Sequence, residues 1–162
     1  MQADLRAFLQ VLEQHGKLLR VRRSVDPHTE LAALILEAER RHQAVLFESV
    51  TGSNLPCIAN VVGDREMLGL ALGVPPEEVV STFLSRSQHR IRPIRRDSGP
   101  VQEVVESGDE VDVRKLPLVV HSEKDAGPYI TAGLVIARDP QSGSHNVSFN
   151  RMMLRGPAEM GI

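Results

Sequence analysis

The residues best equipped for chemistry lie near the end of the chain, in the run Ser144-His145-Asn146-Val147-Ser148-Phe149-Asn150-Arg151-Met152-Met153. The amide oxygen of Asn146 suits a hard divalent cation held among phosphate oxygens. Arg151 never loses its charge and can grip a carboxylate or a phosphate with two parallel N–H donors. The run reads as a strand, so its side chains alternate between two faces. Asn146, Ser148 and Asn150 share one face; Val147, Phe149 and Arg151 share the other. A single site containing both Asn146 and Arg151 therefore needs a bulge or a strand end. Residue types alone leave two alternatives open: a ligand site, or polar residues on a twisted edge strand.

The elements that must position this run follow from periodicity and turn chemistry. Asp4 is an N-cap for a helix carrying Leu5, Phe8, Leu9 and Leu12, stopped at Gly16. Leu18, Leu19 and Val21 suit a short strand broken at Asp26-Pro27. Thr29 can cap a second helix running from Leu31 to about Arg41. Strands are expected over Ala44–Phe47 and about Cys57–Val61, with Thr51-Gly52-Ser53-Asn54 as a turn between them. Gly63-Asp64-Arg65 opens a helix closed by Gly73. Pro75-Pro76-Glu77-Glu78 begins another, with Val79, Val80, Phe83 and Leu84 on its inner face. This alternation predicts an α/β domain.

Residues 86–100 hold Arg86, Arg90, Arg92, Arg95 and Arg96 and then Asp97-Ser98-Gly99-Pro100, the composition of a surface connector. Beyond it the helical period disappears. Val101–Val105, Val111–Val113, Ile130–Ala137 and Ser144–Leu154 read as strands, with Arg138-Asp139-Pro140-Gln141-Ser142-Gly143 as a turn. The expected division is an α/β domain over residues 1–110 and a β-rich module over 111–162. Too few strands are present to close a barrel, so further chain or a partner is expected to cover the open edge.

Composition excludes several classes. The net charge of −2 and the 3% aromatic content argue against nucleic-acid binding, which relies on basic surfaces and stacking rings. The arginine run has no aromatic interleaving and reads as a solvated linker. No apolar stretch approaches the roughly 18 residues of a membrane helix. One cysteine, Cys57, permits no intrachain disulfide and favours a cytoplasmic setting. The six histidines show no ligand spacing, and Asp125, before Gly127-Pro128, reads as a turn former.

Several motifs in order resemble one family. Asp125-x-Gly127-Pro128-Tyr129-Ile130-Thr131-x-Gly133, then Asp139-Pro140-x-x-Gly143, then Asn146-x-x-x-x-Arg151-Met152 are similar to the UbiD family of reversible decarboxylases. So are the opening Asp4-Leu5-Arg6-x-Phe8-Leu9, Val25-Asp26-Pro27, and the run Leu46-Phe47-Glu48-x-Val50-x-Gly52-Ser53. The resemblance spans essentially the whole chain. It implies an amino-terminal α/β domain followed by the start of a split β-barrel of the FMN-binding kind. It further implies prenylated FMN as cofactor, with Mn2+ and K+ near its phosphate. Asn146 falls on the family's metal-binding Asn, and Arg151 on the Arg that contacts cofactor and substrate. Thr131, Ser148, Phe149 and Asn150 fall on positions lining the cofactor pocket. The flavin would act as an electron sink for an aromatic or α,β-unsaturated carboxylic acid while carbon dioxide leaves.

Asn150 departs from the Tyr common before that Arg, which alters the expected pocket. The family's remaining metal ligands and catalytic acids lie downstream of Arg151. The 162-residue chain is therefore expected to be inactive alone, and the full-length form to be a homo-oligomer. Two rivals stand beside this reading: a non-catalytic flavin-nucleotide module, and a protein–protein module using an open β edge.

Overall fold

The computed structural model describes residues 4–89, 91 and 94–162, so Arg90 and Arg92 of the expected connector lie outside it. Helix α1 (Leu5–Gln14) begins where the sequence places it, because the Asp4 carboxylate accepts the Ala7 N–H at 2.9 Å. Strand β1 (Leu18–Val25) follows, then α2 (Leu31–Arg40), β2 (Ala44–Val50) and β3 (Cys57–Ala59). Helix α2 is not capped by Thr29. Asp26 takes that role one turn earlier, its Oδ1 accepting the N–H groups of His28 and Thr29 and forming a local turn ahead of the helix. Helix α3 (Arg65–Leu72) is capped by Asp64, which accepts the Met67 N–H at 2.7 Å. Gly73 ends it in the left-handed conformation, φ +70°.

β2 is the spine of this first part. It pairs parallel with β1 and antiparallel with β3. Its alternate side chains enter two separate cores. Val45 and Phe47 pack with Val25, Leu31, Ala38 and Val50 beneath α2, whereas Ala44 packs with Phe8, Leu12 and Met67 of α1 and α3. The sheet is therefore covered on both faces, as a parallel βαβ unit requires. Helix α4 (Val79–Ser87) departs from expectation: only Val79 is buried, while Val80, Phe83 and Leu84 of the expected inner face are exposed. Arg20 joins this part's surface by pairing with both Glu13 and Glu48, which raises its pKa and lowers that of Glu13.

Residues 101–105 and 111–113 are not strands. Single 3₁₀ turns occupy Pro100–Gln102, Gly108–Glu110 and Val113–Lys115. Their valines favour extended backbone, but among the described residues no strand lies alongside to complete a ladder, and Val101 is 90% exposed. Asp112 instead accepts the Arg114 N–H and pairs with its guanidinium, which fixes the turn and lowers the Asp112 pKa to about 2.

The second sheet is antiparallel, in the order β4 (Tyr129–Arg138), β5 (His145–Gly156), β6 (Glu159–Gly161). The turn joining β4 to β5 is built as its residues suggest. Asp139 accepts the Gln141 N–H and the Ser142 hydroxyl, which holds its carboxyl below the usual range, and Gly143 takes φ +71°. Residues 113–120 tie the two sheets together. Val119 lies in the first core and bridges to Tyr129; Val120 N–H donates to Pro27, and Val113 N–H donates to Pro157. The chain is thus an α/β fold with two small sheets. Among the described residues no single helix is long and apolar enough to cross a membrane; α3 and the segment Pro76–Ser87 reach that length only together, across an 80° bend.

Candidate functional site on the second sheet

The register of β4 and β5 decides where the expected site residues stand. Asn146 pairs with Ala137, Val147 with Ile136, Ser148 with Val135, Phe149 with Leu134 and Asn150 with Gly133. β5 keeps strict alternation through this run, so Asn146, Ser148 and Asn150 project from one face and Phe149 and Arg151 from the other. The Asn150 side-chain amide donates to the Ser148 hydroxyl at 2.8 Å, as two residues on one face can. Five residues of extended chain separate the Cα atoms of Asn146 and Arg151 by about 17 Å. The two do not converge: they stand on opposite faces of the hairpin.

The only irregularity near this run among the described residues lies on the neighbouring strand, and it leaves Asn146 and Arg151 on opposite faces. Between Ile130 and Gly133 the register shifts, placing Thr131 and Ala132 opposite Arg151 alone. Gly133 is buried at the exit of this bulge, where an added Cβ would stand 2.8 Å from the Asn150 carbonyl oxygen and would also strike the Met152 side chain. Backbone approaches backbone there, and only glycine leaves the room. The bulge therefore shapes the segment of β5 that carries Asn150 and Arg151.

The Arg151 face is mostly apolar and open. Leu134, Ile136, Val147 and Phe149 are exposed, Phe149 by 78%. At its end the Arg151 guanidinium lies over the Tyr129 ring, 4.6 Å from the centroid. Among the described residues no carboxylate comes within 4.0 Å of Arg151. A flat apolar strip ending in a fixed cation suits a planar aromatic ligand with an anionic end. The opposite face offers amide and hydroxyl groups.

Thr131, opposite Arg151, also lines the wall of a cleft of about 530 Å³ between β3 and the start of β4. Cys57, Asn60, His121 and Tyr129 also line this cleft. Burial pushes the Cys57 thiol up, which keeps it protonated and unreactive. Asn60 adopts φ +57° and donates its side-chain N–H to the Ile35 carbonyl. All six histidines are exposed, and Asp125 forms a turn with Ser122. Among the described residues no group of three His, Cys, Asp or Glu side chains could hold a metal. Residue patterns missed Tyr129, although it is the sole Tyr of a chain without Trp.

Comparison with known proteins gives this hairpin its context. Residues 9–87 match the model of the 3-octaprenyl-4-hydroxybenzoate carboxy-lyase N-terminal domain, and residues 92–162 match that of the carboxy-lyase Rift-related domain. The chain belongs to the UbiD family. The chain is 41% identical to the UbiD-class enzyme HmfF of Pelotomaculum thermopropionicum, whose structure in complex with FMN superposes with a TM-score of 0.89 over 97% of this chain and 36% of that one. Sedimentibacter hydroxybenzoicus vanillic acid decarboxylase matches with 29% identity and a TM-score of 0.87, over 97% and 36%. Anhydromevalonate phosphate decarboxylase of Methanosarcina mazei is 38% identical over 93% of this chain and 33% of its own length. This UbiD chain thus spans about a third of the relatives it matches. An evolved dimeric form of HmfF is a complex with prFMN, so flavin binding is established among its structural relatives.

Proposed function

We propose that the chain forms the amino-terminal part of a prenylated-FMN-dependent decarboxylase acting on an aromatic or α,β-unsaturated carboxylic acid. The observation that carries this reading is Arg151 at the end of the open apolar strip of β4 and β5, in a chain that UbiD models match on both sides. Residues 111–162 begin the split barrel that receives the flavin, with residues 1–110 packed beside it. Phe149, Ser148, Asn150 and Thr131 line the cofactor's surroundings. Arg151 anchors the substrate carboxylate and contacts the flavin, fixing the carboxylate's orientation relative to the ring. Asn146 would offer its amide oxygen to a divalent cation, Mn2+, with K+ as a second ion; a single oxygen would fill one place of a six-oxygen shell. When bound, the prenylated flavin supplies the electron sink for loss of carbon dioxide.

The working enzyme is a cytoplasmic homo-oligomer. The 162-residue polypeptide, about a third of its relatives' length, releases no carbon dioxide by itself. The test is incubation with prenylated FMN and manganese, followed by flavin absorbance and carbon dioxide release from a panel of unsaturated acids. The expected result is retained flavin, with release only from a longer form of the protein and none after Arg151→Gln. Turnover by the 162-residue chain would refute its inactivity. Flavin retention without release by any form would favour a non-catalytic flavin module, and no retention would favour a protein–protein module.

A further inference from the structure

We infer that Tyr129 is a positioning residue for Arg151: its ring is the platform that holds the guanidinium in the plane from which it takes up an anion. The inference rests on Arg151 being the anion anchor proposed above. An arginine on an open strand face has many rotamers, and an anion must select one of them. Stacking on an aromatic ring uses the guanidinium's face and leaves its N–H donors pointing outward in the plane, free for a carboxylate or phosphate. Here the guanidinium carbon lies over the Tyr129 ring, 4.6 Å from its centroid, within the range of such a contact.

The platform is itself fixed from two sides. Tyr129 N–H donates to the Val119 carbonyl at 3.1 Å, and Val119 is packed in the core of the first sheet. Across the second sheet Tyr129 faces Met153, and the Leu154 N–H donates to Pro128 at 3.1 Å. The bulge completes the device. Because Thr131 and Ala132 together stand opposite Arg151, no single cross-strand neighbour faces it, and Tyr129 takes the diagonal place. Tyr129 thus links the well-packed first core to the exposed cation. Its hydroxyl plays no part in this role, so phenylalanine should serve as well.

The experiment compares Tyr129→Phe and Tyr129→Leu, each with Arg151 present and with Arg151→Gln. The Arg151 Nε–H resonance should carry an upfield ring-current shift that survives Tyr129→Phe and vanishes in Tyr129→Leu. FMN, titrated by fluorescence quenching, should bind roughly three- to thirty-fold more weakly to Tyr129→Leu, the range of a cation–π contact. Tyr129→Phe should stay within about two-fold of the unsubstituted protein, and Tyr129→Leu should add nothing once Arg151 is gone. Absence of the shift in the unsubstituted protein, equal losses in Phe and Leu variants, or additive losses with Arg151→Gln would each overturn the inference. Should Tyr129→Leu fail to fold, Tyr129→Ile, a stronger strand former, carries the same comparison. Failure of the unsubstituted protein to bind FMN counts against the proposed function, while the resonance still decides the stack.

Discussion

The first sheet spends its side chains on its own core, and the second displays them. β2 sends Val45 and Phe47 into one core and Ala44 into another, with helices over both faces. β4 and β5 carry side chains as apolar as these, yet Leu134, Ile136, Val147 and Phe149 remain exposed. The difference is one of cover rather than composition. A phenylalanine in β2 contributes to folding, whereas one in β5 is available to something that binds. The same division holds for charge: Arg20 is held between Glu13 and Glu48, while Arg151 lies over the Tyr129 ring.

The sharpest way to break this comparison is a pair of matched truncations. Phe47→Ala should destabilise the protein by about 3–5 kcal/mol, the cost of removing a buried aromatic ring. Phe149→Ala should shift stability by no more than about 0.5 kcal/mol, as expected at an exposed position. Denaturant unfolding of both variants checks this, and equal losses would mean that the hairpin has a core of its own. Next in size is Gly133→Ala, which should cost about 1–3 kcal/mol through overpacking against Asn150 and Met152. It should also move the amide resonances of Asn150 and Arg151 while leaving those of β2 in place.

The smallest effect is electrostatic. The Arg114 guanidinium lowers the Asp112 carboxyl from its ordinary 3.8 to about 2. A depressed carboxylate contributes stability that is present above its unfolded value and is lost as pH falls through its folded value. The turn at Val113–Lys115 should therefore hold until pH approaches 2, and a carboxyl NMR titration should show Asp112 returning to the ordinary range in Arg114→Gln. The pair is exposed, so the global melting temperature should scarcely change.

The sequence made visible those features that are decided locally. Asp4 and Asp64 cap their helices, Gly73 ends one, and Asp139 with Gly143 turns β4 into β5, because each needs only a few neighbouring residues. Features that depend on a distant neighbour were less legible. Among the described residues, Val101–Val105 have strand composition but no strand to pair with, and Phe83 and Leu84 have the period of a buried face yet are exposed. Within the site, the alternation of Asn146 and Arg151 was readable and holds. The bulge at Thr131-Ala132 and the diagonal approach of Tyr129 were not, since both arise from the register between two strands.

The claim that the open strip of the second sheet is a flavin site anchored by Arg151 is tested most directly by titrating FMN against the protein and its Arg151→Gln variant. A hydrogen bond from the charged guanidinium to the flavin contributes about 1.5–3 kcal/mol, so affinity should fall at least roughly ten-fold with an unchanged melting temperature. Equal FMN affinity in the two proteins would contradict the account.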